Sequence, residues 1–101
     1  MNSKPNVPTK WGTQVEIERR NRIRLAVAAY AYEMGEDSIM SDSDYDALAA
    51  TIRPDFPTGH DVLDKFFLEE YVDYSGQWIY NHPELDKVAQ TYERWYKKCS
   101  D

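Results

Sequence analysis

The chain has 101 residues, a formal net charge of −6, 42% hydrophobic and 14% aromatic residues, and one cysteine. That length corresponds to one domain, able to bury roughly 65% of its unfolded surface in a modest core without metal or disulfide. The lone Cys99 excludes an internal disulfide framework, and no apolar run approaches the roughly 18 residues of a bilayer span, so a cytoplasmic protein without a membrane partner is expected.

Residues 1–11 hold two of the five prolines and read as a flexible arm that lacks the apolar run of an export signal. From about Gly12 the chain turns helical: Thr13 reads as an N-cap and Glu16, three residues on, completes a capping box. The second half of this helix is nearly all apolar, from Ile23 to Tyr30, and the spacing Ile23, Val27, Tyr30, Met34 marks one buried stripe. Its alanines admit a close neighbour, and Gly35 ends it. Residues 36–41 form an acidic loop. Ser41 then caps a second helix, with Asp42 and Asp44 in the first turn complementing the helix dipole. That helix runs to about Ile52 and stops near Arg53, because Pro54 follows.

A turn-rich connector, RPDFPTGH, leads to a third helix capped by Thr58 or Asp61 and covering about Val62 to Val72. Its apolar face is Val62, Leu63, Phe66, Phe67 and Tyr71. The stretch 73–82 reads as a loop with a Ser-Gly turn and a short extended piece. Pro83 suits the first position of a fourth helix, whose stripe is Leu85, Val88, Tyr92, Trp95 and Cys99, with Glu93 and Lys97 as a surface pair. The expected fold is therefore all-α: a flexible arm over 1–11 and a single domain of about four helices over 12–101. The loops at 35–41 and 73–82 are the irregular surfaces where a site belongs.

Charge is unevenly distributed. Residues 1–32 sum to +4, residues 33–73 to −10, and residues 74–101 to zero. An acidic middle repels phosphate backbones and disfavours direct DNA binding. The basic run Arg19, Arg20, Arg22, Arg24 reads as solvated, or as paired with the acidic middle across the fold; Glu16 with Arg20 and Glu18 with Arg22 already have i, i+4 spacing.

The segment from Tyr32 to Leu48, YEMGEDSIMSDSDYDAL, carries the chemistry. It is a helix end, an acidic loop and a capped new helix, with two tyrosines and a tight set of carboxylates. A tyrosine near the end of a first helix, followed after a fixed gap by Asp-x-x-Tyr-Asp, resembles the small N-terminal domain of bacterial NAD-dependent DNA ligases; here these are Tyr32, Asp42, Tyr45 and Asp46. The pattern covers about residues 22–53. It implies a ligand, nicotinamide mononucleotide (NMN) or the nicotinamide half of NAD, with the aromatic pair around the ring and the aspartates hydrogen-bonding the nucleotide. The physics fits, since a cation over an aromatic face gains ~0.5–2 kcal/mol. Glu33 stands where the family usually has His, which removes a donor and repels phosphate, so altered or weaker binding is implied. Ser38 stands where a proline is usual. HPEL at His82–Leu85 echoes a family string but arrives much later, so an inserted helix is expected between them. The remainder, with FPTGHDVLDKFF and SGQWIYNHPELD, resembles small ligase-related proteins of bacteriophages and prophages.

The same residues have a purely structural reading: Tyr32 and Tyr45 as packing residues, Asp42 as a dipole-compensating carboxylate, Asp46 solvated. The lysines sit in SKP, TKW, DKF, DKV and YKKC, never in the Lys-x-Asp-Gly context that takes up AMP, so a complete ligase is excluded and no catalytic activity is expected. His60 with Asp64, or His82 with Glu84 and Asp86, lacks the dense spacing of a zinc site, and no metal is expected. Two functions compete: a non-catalytic module that binds the nicotinamide nucleotide through Tyr32, Glu33, Asp42, Tyr45 and Asp46, and an acidic module that binds a host or phage protein, such as a DNA-handling enzyme. Oligomeric state is left open.

Overall fold

The computed structural model describes residues 12–96, so the arm at 1–11, Cys99 and the Glu93–Lys97 pair lie outside the described residues. The elements are α1 (Gln14–Met34), α2 (Asp42–Thr51), α3 (Asp61–Glu69), a 3₁₀ turn (Gln77–Asn81), α4 (Leu85–Thr91) and a π-helical turn (Tyr92–Tyr96), with no strand among the described residues. The all-α expectation holds. No helix among the described residues is long and apolar enough to cross a membrane.

α1 is the axis of the fold. Its 21 residues extend about 32 Å. Its start is the expected capping box: Thr13 Oγ1 accepts from the Glu16 N–H at 3.1 Å, and Glu16 Oε1 accepts from the Thr13 N–H at 2.8 Å. α2, the 3₁₀ turn and α4 all approach α1 closely. Small side chains permit this: Leu25, Ala26, Val27, Ala28, Ala29 and Ala31 are all buried. The expected stripe through Ile23 is wrong at that residue, which is 55% exposed. An apolar run enclosed all round specifies no single face, and the buried face in the N-terminal half is carried by Glu18 and Arg22 instead. Gly35 ends the helix, but not by a left-handed backbone; its φ is −99°, and Glu36 takes φ +50°. Glycine is needed at 35 for space, because a Cβ there would lie 3.0 Å from the Ala31 carbonyl and 3.2 Å from the Tyr92 hydroxyl.

The other elements refine the expectations. Ser41 caps α2 as read from sequence, accepting from the Asp44 N–H at 3.1 Å. α3 is capped by neither Thr58 nor Asp61 but by His60, whose Nδ1 accepts from the Leu63 N–H at 3.3 Å. It ends at Glu69, short of Val72, which frees Tyr71 to turn its ring onto Phe67 and Trp78 and donate its hydroxyl to the Ala49 carbonyl at 2.9 Å. Val62 faces solvent. The extended piece expected within 73–82 is instead the 3₁₀ turn, which buries Trp78 and Ile79. α4 begins at Leu85, not at Pro83, after the Glu84 N–H is taken up by His82 Nδ1 at 3.0 Å. Leu85, Val88 and Tyr92 pack inward as expected, but Trp95 is 73% exposed. The wider winding of the π turn rotates it off the stripe.

A buried ionic network joins α1 to the connector and to α3. Arg22 and Glu18 are 5% and 3% exposed and pair at 2.7 Å. Arg22 Nη1 donates to Asp64 Oδ1 at 3.0 Å, and Nη2 donates to the carbonyls of Arg53 at 2.7 Å and Phe56 at 3.1 Å. Glu18 Oε2 also accepts from the Arg53 N–H at 2.9 Å. Asp64 accepts from the Thr58 hydroxyl at 2.6 Å and from the N–H groups of Thr58 and Gly59 at 2.9 and 3.2 Å. The guanidinium lies 4.8 Å from the centre of the Phe67 ring. Among the described residues α3 makes no close backbone approach to another helix. It is held through this network and an aromatic cluster of Phe66, Phe67, Tyr71, Trp78 and His82, with ring centres 5.1 to 6.4 Å apart.

Removing one partner of a buried pair strands the other charge, at a cost of ~3–5 kcal/mol. Arg22→Met is therefore expected to lower the stability of this domain by about that amount in urea denaturation, against a total of ~5–15 kcal/mol. Acid should act in two stages. Burial lowers the His82 pKa despite Glu84 nearby, so the unfolded chain takes up this proton first and stability falls as pH drops below about 6.5. Burial works to raise the Asp64 carboxyl, but hydrogen bonds from Thr58 and the Arg22 charge outweigh it and hold the group below its ordinary value. Its contribution is present above the unfolded carboxylate pKa, near 3.8, and is lost as pH falls through the lower folded value. In stability measured against pH, His82→Gln should flatten the upper stage and Asp64→Asn the lower.

Candidate functional site

The C-terminal end of α1, the start of α2 and the segment 74–76 enclose a half-open cleft of about 170 Å³. Ala28 and Ala29 of α1 line it, together with Ser38, Ile39 and Met40 of the acidic loop. Tyr32, Asp42, Tyr45 and Asp46 line it too, so four of the five residues singled out in the sequence meet in one cavity. Glu33 does not line it. Its Cγ instead lies 3.6 Å from where a Cβ on Gly76 would be, and its carbonyl accepts from the Tyr80 hydroxyl at 3.1 Å.

Local sequence explains each position. Tyr32 lies in the last turn of α1, past the enclosed alanine run, and is 67% exposed. The Ser41 cap starts α2 so that Asp42 opens it and Tyr45 and Asp46 follow in its first turns. Tyr45 is half-buried and packs on the core, its hydroxyl reaching the Ser75 carbonyl at 3.5 Å. Burial raises the Tyr45 phenol above its ordinary pKa; the nearby Trp78 indole works against this, while Glu33 and Asp46 reinforce it. The Trp78 Nε1–H itself closes no hydrogen bond of ordinary geometry.

The loop wall is fixed from behind. The Asp37 N–H donates to the Ala31 carbonyl at 2.9 Å, and Asp37 Oδ2 accepts from the Tyr92 hydroxyl at 2.8 Å. That bond to Asp37, with burial, pushes the Tyr92 phenol up to about 12. Asp37 Oδ1 takes the Ser38 N–H at 2.7 Å, and Ser38 Oγ donates to the Met40 carbonyl at 2.8 Å. Ser38 thus shapes the loop through its own hydrogen bonds.

Sequence reasoning missed the far wall: Tyr74, which is 84% exposed, Ser75 and Gly76. The signal available was that 73–82 reads as an irregular surface; nothing in its spacing tied it to Tyr32 or Tyr45. The cleft thus combines three tyrosines with two aspartates, and no cationic side chain is among its described lining residues. Such a lining favours a flat cation and disfavours phosphate.

A larger cavity lies elsewhere, about 500 Å³ between the N-terminal half of α1, α3 and α4. Of the metal pairs weighed from sequence, His60 Nε2 lies 3.3 Å from Glu84, while His82 faces the aromatic cluster. Among the described residues no group of three or more His, Cys, Asp or Glu is arranged to hold a metal ion. Comparison with protein-family models, curated proteins and solved structures finds no match for this chain.

The two tyrosines separate by burial. Tyr32→Ala should change stability by no more than ~0.5 kcal/mol, as for other exposed sites. Tyr45→Ala should cost about 2–4 kcal/mol, because it opens a gap against the core. Thermal and urea unfolding of both variants provide the check.

Proposed function

We propose that the cleft binds the nicotinamide ring of NMN or of NAD, and that the chain is a non-catalytic binding module. The observation that carries this reading is the meeting of Tyr32, Asp42, Tyr45 and Asp46 in one cavity from two helices and across an intervening loop. The pyridinium ring is flat and cationic; tyrosine faces and carboxylates are the groups that favour it. A cavity of about 170 Å³ is smaller than the ~300–1,000 Å³ of pockets that enclose whole ligands, so it suits a ring rather than a nucleotide. The ribose and phosphate then lie outside the cavity. With no cation lining the cleft to grip phosphate, weak affinity is expected, and most of it should come from the ring.

The acidic surface supports a second reading, a protein partner with a basic patch. Asp42, Asp44, Asp46, Asp55, Asp61 and Asp73 are all exposed, and Tyr32 and Tyr74 stand exposed at the cleft with Asp42 and Asp46. Asp37, half-buried and engaged by Tyr92 and Ser38, is less available to that surface.

An NMR titration of labelled protein with NMN, NAD and AMP tests the first reading. Saturable shifts with NMN at Tyr32, residues 42–46 and 74–76, lost in Tyr32→Ala without unfolding, are expected. AMP should produce none of them. Absence of shifts at millimolar NMN would remove the nucleotide reading and leave the acidic surface as the functional one.

A further inference from the structure

We propose a second ligand site, independent of the tyrosine cleft: the cavity between α1, α3 and α4 takes a small monocarboxylate with an apolar body. The cavity exists because α3 stands off from α1, held by Arg22 and by aromatic side chains instead of close helix packing. Its volume of about 500 Å³ lies within the ~300–1,000 Å³ range of small-molecule pockets. The walls are Ala26, Val27, Leu63, Phe67 and Val88, and Ile23 completes them, which gives that exposed isoleucine something to do.

The polar groups gather at the mouth, and their balance is positive in a chain of net charge −6. Arg19 donates to the Thr58 carbonyl and has no carboxylate partner among the described residues. Lys87 lies across the mouth, its side chain 70% exposed. Glu84, the acidic residue among the described lining, is already engaged by His60 Nε2 at 3.3 Å and Lys87 at 3.7 Å. His60 Nδ1 accepts from the Leu63 N–H at 3.3 Å, and its Nε2 faces Glu84. Arg22 is balanced inside by Glu18 and Asp64. Arg19, exposed and without a carboxylate partner among the described residues, is thus the cation beside an apolar chamber, and an anionic head on an apolar tail is the chemistry that suits both.

The test is a methyl-detected NMR titration of the full chain with octanoate and with octanol. Octanoate should give saturable shifts at Ile23, Leu63 and Val88, and octanol should bind more weakly. Arg19→Gln and Lys87→Gln, both surface changes outside the helix caps, should each weaken octanoate by about two- to fivefold and leave octanol unchanged. Leu63→Trp should fill the chamber and abolish the shifts. The proposal is overturned if octanoate gives no saturable shifts, or if octanol binds as well and neither charge variant matters.

Discussion

One buried guanidinium holds the architecture together. Four of the five N–H donors of Arg22 are spent on Glu18, Asp64 and two connector carbonyls. A charge removed from water is tolerable only when its donors are matched in this way. The network therefore dictates where residues 52–60 run, because the Arg53 and Phe56 carbonyls must point at α1. It also sets the start of α3, because Asp64 can reach Arg22 only while it gathers Thr58 and Gly59. Gly59 supplies the φ of +90° that this turn needs, and a Cβ there would sit 3.1 Å from the Arg19 guanidinium. α3 is placed by reach instead of by close packing, and the large cavity beside it is the consequence.

The opposite end of α1 is organised by a different economy of space. The alanines bring α2, the 3₁₀ turn and α4 close enough for Tyr92 to lie over Gly35 and hold Asp37. That holds the loop from behind, where residues 38–40 form a wall of the cleft. Packing in the C-terminal helix thereby shapes a cleft to which it contributes no residue. A mutation at Tyr92 would be felt at the cleft through Asp37.

Local chemistry was legible in the sequence; long-range register was not. The Thr13–Glu16 box, the Ser41 cap and the stop before Pro54 each depend on residues a few positions apart, and each stands as read. His60 as a cap was not legible, because Thr58 is the better capping residue until Asp64 claims its hydroxyl. Burial of Glu18 and Arg22 could be read only as i, i+4 spacing, which looks the same on a solvated face. Ile23 and Trp95 were assigned inward by hydrophobicity, whereas charge pairing displaced the first and a π turn the second. At the cleft, a sequence resemblance named Tyr32, Asp42, Tyr45 and Asp46, but the wall at 74–76 arrives from about 30 residues away through the Tyr45–Ser75 contact. No periodicity encodes such a contact.

The central claim is that the cleft recognises a flat ring because the ring is charged. Calorimetric titration with 1-methylnicotinamide, a cation, beside nicotinamide, its neutral counterpart of nearly the same shape, isolates that property from phosphate and ribose. Saturable binding of the cation, with the neutral ring at least about tenfold weaker, is the expected result, since ~1.4 kcal/mol lies within what aromatic faces and two carboxylates can supply to a cation. Equal binding of the two rings, or none by either, contradicts it.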